Sequence, residues 1–195
     1  MTDPYTRLYE NVIPEELCDR MITLLDKSET LKLVGIHDAD YRRCLQLPFP
    51  NASLTESTAI YEETLKVIRN VFERYKAESK NLNLNFCERI EKPSILKYRT
   101  NGKDLFHLHA DNWNTQSSTR QVSLILYLND VESGGKTTFP GLNLSIQPKK
   151  GSILLFPSFF THQHYAEQPI SNSKYVAVTW LCLAGQGNFY ETFPF

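Results

Sequence analysis

The sequence predicts a mainly β fold, a double-sheet antiparallel barrel with two α-helices packed outside it. Three observations lead there. Both stretches of helical apolar spacing fall within the first 76 residues. From residue 84 onward the pattern turns to short runs bounded by Gly and Pro, and strands that follow helices in this way argue for segregated layers with a sheet closed on itself. Within Arg120–Asn129, Val122, Leu124, Leu126 and Leu128 alternate with Ser123, Ile125 and Tyr127. One face is wholly apolar and the other nearly so, which suits the wall of a sandwich with a partly apolar interior.

In chain order, Tyr5 to Val12 reads as a first strand. Pro14-Glu15-Glu16 opens a helix over 14–27, where proline's missing donor costs nothing and the acids suit the dipole. Leu17, Met21, Leu24 and Leu25 give it a single apolar stripe. Residues 32–52 mix short apolar pieces with His37, Asp38, Asp40, Arg42, Arg43, Pro48 and Pro50, and read as a long irregular connection or a weak strand with loops. His37 is read there as a solvated histidine, and Arg42 or Arg43 as a subsidiary candidate for substrate contact. A second helix over 58–76 follows from Tyr61, Leu65, Ile68, Phe72 and Tyr75, all read as core.

After the polar break at Ser79–Asn83, Leu84–Ile90 and Ser94–Tyr98 read as strands separated by Pro93. Thr100–Asp104 is a turn, Leu105–Ala110 is extended, and Asn112–Thr119 is a polar loop whose one bulky apolar residue is Trp113. Gly134 and Gly135 mark another turn. Leu144–Ile146, Ser152–Phe156 and Lys174–Leu183 complete the strands. The aromatic tail Gly185–Phe195 docks on its own body or on a second subunit, so monomer and homodimer both stay open.

At 195 residues, one domain spanning 1–195 is expected, with a sizeable core. Its 41% hydrophobic and 22% charged residues are ordinary for a soluble globular protein. A net charge of −1 with mixed signs argues against a nucleic-acid surface. Cys18, Cys44, Cys87 and Cys182 lack metal-site spacing, and neither a signal core nor a membrane-length apolar run occurs, so a reducing, cytoplasmic setting is the expectation.

Four of the five histidines lie in His107-Leu108-His109-Ala110-Asp111 and Phe160-Thr161-His162-Gln163-His164. In extended chain alternate side chains share a face, so His109 and Asp111 can share an ion. One more imidazole from a return strand would complete two histidines and a carboxylate with open positions left, the non-haem Fe(II) arrangement. His162 and His164 have the same parity, as do His107 and His109, so spacing alone does not choose among them.

The ordered set Tyr98, Gly102, Phe106, His109-Ala110-Asp111, Arg120, Ser123 to Asn129, Gly134-Gly135, Thr137, Phe139, Pro148, Gly151, Leu155-Phe156, His164, Lys174 and Trp180 resembles a known family. It is similar to the 2-oxoglutarate- and Fe(II)-dependent oxygenases, in particular their prolyl 4-hydroxylase-like branch. The resemblance implies a double-stranded β-helix, a cupin-like jelly-roll, with His109, Asp111 and His164 as both catalytic and iron-binding residues. It implies that Lys174 holds the far carboxylate of 2-oxoglutarate, with Tyr98 and Tyr127 as hydroxyl partners. In this branch the basic residue follows its histidine by about ten positions, which selects His164 and leaves His162 as an outer partner or a residue of the opening. A His107/His109/His164 site would instead resemble an all-histidine cupin centre and strand Asp111. Arg120, Trp113 and Trp180 become candidates for substrate contact or outer support, and ascorbate joins Fe(II) and 2-oxoglutarate as a candidate auxiliary reductant. The implied activity is C–H hydroxylation, foremost of a peptidyl proline, with another peptide residue or a free amino acid as alternative substrate. A metal-binding jelly-roll without activity is the reading from a different class.

Overall fold

The computed structural model describes residues 3–28, 41–79, 84, 87 and 89–183, together with the backbone of 32–34 and 190–192. His37 and most of the aromatic tail lie outside these residues. The strand β1 (Arg7–Tyr9) precedes the helix α1 (Glu15–Asp26), and β2 (Lys32–Val34) and β3 (Arg42–Pro48) precede α2 (Ser57–Glu78). Then come β4 (Arg89–Glu91), β5 (Ser94–Tyr98), β6 (Leu105–His109), β7 (Arg120–Tyr127), β8 (Thr137–Phe139) and β9 (Leu144–Ile146). The chain continues through β10 (Ser152–Pro157), β11 (His164–Ala166), β12 (Lys174–Cys182) and β13 (Tyr190–Thr192).

Every pairing between these strands is antiparallel, in the order β1-β10-β7-β12-β5-β3-β6-β11-β8-β9. The path folds over at β3. Leu45–Pro48 pair with β5 in the larger sheet, whereas Arg42 and Arg43 pair with Leu105 and Phe106 of β6 in the smaller one. Two facing sheets joined by a strand that serves both make the jelly-roll.

Strand parity divides the core in two. On β7, Leu124 and Leu126 point outward into a cluster with Leu17, Met21 and Leu25 of α1 and Ile68 and Phe72 of α2. Tyr127 points inward and joins Leu96, Tyr98, Phe139, Phe156 and Val176 between the sheets. Phe72 is fully buried, and a side chain of that size contributes about 1.5–3 kcal/mol by leaving water. The helices thus cover the outer face of the larger sheet and leave its inner face to the cavity.

Two segments depart from the sequence reading. The stretch read as an irregular connection contains β3, whose inner face carries Arg42, Cys44 and Gln46 while Leu47 joins the outer core. Polar residues on a buried face erase the apolar alternation that marks a strand. Of the expected strand Leu84–Ile90, Arg89 and Ile90 belong to β4, Leu84 and Cys87 are buried with Cys87 N donating to Leu84 O at 3.1 Å, and residues 85, 86 and 88 lie outside the described residues. Short apolar runs do not distinguish these cases by composition.

The turn between β5 and β6 is clamped by Asp104, a wholly buried carboxylate. It accepts from Arg99 Nε at 2.8 Å, Arg99 Nη2 at 3.1 Å, Arg99 N at 2.9 Å and Asn101 Nδ2 at 2.9 Å. Arg43 Nε lies 3.4 Å away, which adds β3 to the same clamp.

Gly134 adopts φ +68°, and a Cβ there would collide with the Gln168 carbonyl and Ile170. Gly134→Ala is expected to lower unfolding stability by about 1–3 kcal/mol in urea denaturation. Gly141→Ala, where a Cβ meets nothing within 4 Å, should shift it by less than about 0.5 kcal/mol.

Candidate metal centre

β6 and β11 pair so that His109 stands opposite His164. Asp111 follows β6 by two residues, and one donor atom from each of the three lies within 4.8 Å of the others. His109 Nε2 is 3.6 Å from Asp111 Oδ1, and His164 Nε2 is 3.9 Å from Asp111 Oδ2. All three side chains are buried.

Each imidazole is oriented from behind by its own strand. His109 Nδ1 donates to His107 O at 2.7 Å, and His164 Nδ1 donates to His162 O at 3.1 Å. A carbonyl only accepts, so the ring hydrogen sits on Nδ1 and the Nε2 lone pair is left facing the centre. Phe106 stacks on His109 with centroids 3.5 Å apart, and Phe156 meets His164 edge-on at 4.7 Å. Ser123 Oγ donates to Asp111 Oδ2 at 2.6 Å and lies 2.8 Å from Ser158 Oγ, so the carboxylate is held as well.

Burial pushes His164 down to about 4, with the neighbouring His109 acting in the same direction and Asp111 opposing. The ring is therefore neutral at physiological pH. Burial alone would raise Asp111, but the adjoining imidazoles and the Ser123 hydrogen bond outweigh it and hold the carboxyl well below its usual range. Two imidazoles whose Nε2 atoms face inward and one ionised carboxylate form a donor set suited to a divalent metal of the ferrous kind.

The triad opens on a cavity of about 690 Å³. Lys174, Tyr98 and Thr137 line it beside the metal ligands, with Leu96, Ile125 and Val176 as apolar wall. Lys174 is 2% exposed; its Nζ donates to Gly135 O at 2.7 Å and lies 3.5 Å from Thr137 Oγ1. No carboxylate pairs with it among the described residues, and burial pushes the amine down to about 7 against the weaker pull of Glu167.

The remaining candidates fall in different places. Tyr127 is fully buried but donates to Thr137 Oγ1 at 2.8 Å and does not itself line the cavity, so Thr137 stands between it and any ligand. Arg120 lines the cavity, binds Glu91 through two hydrogen bonds of 2.7 Å, donates to Asp111 O at 3.3 Å and stacks 3.5 Å over Trp180. Trp180 also lines it, with Nε1 buried and lacking an acceptor among the described residues. Trp113 stands at the rim, 65% exposed. The His162 ring does not reach the opening: Nε2 lies 3.4 Å from Asp3 Oδ2, and only its carbonyl serves the centre. His107 likewise is exposed and contributes its carbonyl alone.

Sequence reasoning passed over Ser123, Ser158, Glu91 and Gln46, and gave Arg42 only a minor place. Ser123 had a signal in its shared parity with Tyr127 on β7; Glu91 had none.

The jelly-roll thus carries a His-x-Asp pair at the end of one strand and a histidine opposite it, the donor arrangement of a metal-dependent double-stranded β-helix. Comparison narrows the class. Residues 93–182 match the 2OG-Fe(II) oxygenase superfamily. It is 34% identical to a probable prolyl 4-hydroxylase 9 of Arabidopsis thaliana over 45% of this chain and 39% of that protein. It is 34% identical to the prolyl 4-hydroxylase subunit alpha-1 of Gallus gallus over 36% of this chain and 15% of that one. The chain thus spans well under half the length of these curated relatives. Its fold matches the 2OG complex of a viral collagen prolyl hydroxylase from Paramecium Bursaria Chlorella virus-1, with TM-score 0.68, 21% identity, and coverage of 90% of this chain and 94% of that one. It also matches a Trichoplax adhaerens prolyl hydroxylase in complex with a hypoxia inducible factor peptide, with TM-score 0.72, 16% identity, and coverage of 94% and 88%. No helix among the described residues is long and apolar enough to cross a membrane, and all four cysteines are free and buried.

The buried amine makes a testable sign. Folded Lys174 gives up its proton near pH 7, while the unfolded chain keeps it to about 10.5, so between those values the unfolded state binds more protons and stability rises with pH. Lys174→Met is therefore expected to stabilise the ligand-free protein by a few kcal/mol at pH 6, with the gain shrinking steadily toward pH 10.5 in denaturation curves measured across that range.

Proposed function

We propose that this chain is a Fe(II)- and 2-oxoglutarate-dependent hydroxylase acting on a proline residue of a peptide. The observation that carries the reading is Lys174, a buried amine with no carboxylate partner among the described residues, in the same cavity as the His109, Asp111 and His164 triad. A protein gains nothing structural from burying such a group unless a ligand supplies its counter-charge.

In this reading His109, Asp111 and His164 hold the iron, and Lys174 receives the far carboxylate of 2-oxoglutarate. When bound, the iron and keto acid use dioxygen to convert 2-oxoglutarate to succinate and CO2 and to place one oxygen atom in a C–H bond of the substrate. The chain's own part is placement. Arrival of a carboxylate restores the Lys174 proton, which the dry pocket otherwise disfavours, and Thr137 and Tyr98 offer hydroxyls beside it. Leu96, Ile125 and Val176 keep water from the space between the two ends. The Glu91–Arg120 pair stacked on Trp180 forms a rigid wall against which a substrate ring can lie, and exposed Trp113 extends that wall outward. A cavity of about 690 Å³ accommodates a five-carbon diacid with one amino-acid residue beside it. The peptide reading is supported by the Trichoplax neighbour, which holds a peptide in the same fold.

The test is iron content and succinate release with Fe(II), 2-oxoglutarate, ascorbate and proline-containing peptides, with mass spectrometry locating the added oxygen. Asp111→Ala is expected to abolish tight iron binding and turnover. Ser123→Ala, which removes only the bond to the carboxylate, should weaken iron binding by roughly 10–100-fold. Undiminished iron affinity and turnover in Asp111→Ala, or oxygen appearing on a free amino acid and on no peptide, would overturn the proposal.

A further inference from the structure

We propose that Arg42 selects a substrate that presents a carboxylate beside the C–H bond to be oxidised. This rests on the hydroxylase reading above and adds a substrate class to it.

The charges lining the cavity are paired or assigned, with one exception. Asp111 faces the metal, and Lys174 awaits the far carboxylate of the cosubstrate. Glu91 and Arg120 neutralise each other through two hydrogen bonds of 2.7 Å. Lys92 is exposed at the rim. Arg42 has no carboxylate within ion-pairing distance among the described residues, and its Nε is enclosed without an acceptor.

Its position is close to the chemistry. Arg42 lies opposite Phe106 in the β3–β6 ladder, with its guanidinium carbon 4.7 Å from that ring's centroid, and Phe106 in turn stacks on His109. The charge is thus one aromatic ring away from a metal ligand. The polar neighbours on its own wall are the Cys44 thiol and the Tyr98 hydroxyl, both of which burial holds in their neutral forms.

A guanidinium cannot release its proton as Lys174 can; among the described residues Asp111 acts on it only from a distance and is turned to the metal, so a contacting counter-charge is left to what enters the cavity. Its planar fork fits a carboxylate with two parallel hydrogen bonds. The two carboxylates of 2-oxoglutarate are already assigned, one to the metal end and one to Lys174, which leaves the substrate as the source. Trp180 Nε1, an enclosed cavity donor that also lacks an acceptor among the described residues, stands beside the Glu91–Arg120 pair and suits an uncharged carbonyl oxygen.

A carboxylate can reach Arg42 as an acidic side chain next to proline or as the free end of a chain. The test compares short peptides that differ only in Glu or Gln beside a central proline, a peptide ending in proline as the free acid or the amide, and free proline, all scored by succinate release and added oxygen. At least one carboxylate-bearing member is expected to exceed its neutral twin about ten-fold in kcat/KM, the worth of roughly one charge-assisted hydrogen bond. Arg42→Gln should erase that preference while the KM for 2-oxoglutarate stays within about two-fold, and Arg42→Lys should restore part of it. Equal use of charged and neutral twins, or a KM change falling on 2-oxoglutarate instead, would overturn the inference. Should Arg42→Gln not fold, the wild-type preference and its decline with added salt decide the question. Turnover without preference defeats this inference alone, whereas no 2-oxoglutarate turnover with any probe defeats the hydroxylase reading beneath it.

Discussion

The centre depends on the register between β6 and β11. His109 and His164 are far apart in the chain and meet because the two strands pair with those residues opposite. Side chains alternate faces along a strand, so a slip of one residue would send His164 to the other side and substitute Gln163 or Tyr165 for it. The register is held by more than its own few hydrogen bonds. β11 is flanked by β8 as well as β6, β6 pairs in turn with β3, and the Asp104 clamp ties β3, the β5–β6 turn and Arg99 together.

That register also explains the division of labour inside the barrel. The larger sheet sends its outward residues to the helices and its inward residues to the cavity, so the same strand β12 supplies Lys174 and Trp180 to the wall while Ala177 and Leu181 anchor it outside. Stability comes from the outer cluster. The inner face is free to carry a buried amine, an ionised carboxylate and a guanidinium, groups that a structure built only for stability would avoid.

Much of this was legible in the sequence where the physics is local. Leu17, Met21, Leu24 and Leu25 lie on the buried face of α1, and β7 shows the alternation its residues announce. The convergence of His109, Asp111 and His164 was legible because extended chain fixes which residues share a face, and the family resemblance supplied the choice of His164. What remained hidden depends on partners distant in the chain. β3 looked irregular because its inner face is polar, and Glu91 gave no sign because its role comes from Arg120, which reaches it across the fold. Tyr127 shares the inward face with Ser123, yet Thr137 intervenes between it and the cavity. Parity gives a direction, not the distance a side chain must span.

His107 and His162 show how the same chemistry can mislead a reader of residues. Each lies two positions before a ligand, and each orients that ligand through an atom every amino acid possesses. The imidazoles at 107 and 162 are therefore not what orients the two ligating rings, and another side chain at either position would keep the carbonyl that accepts from Nδ1. A histidine-rich appearance here overstates the number of histidines the centre requires.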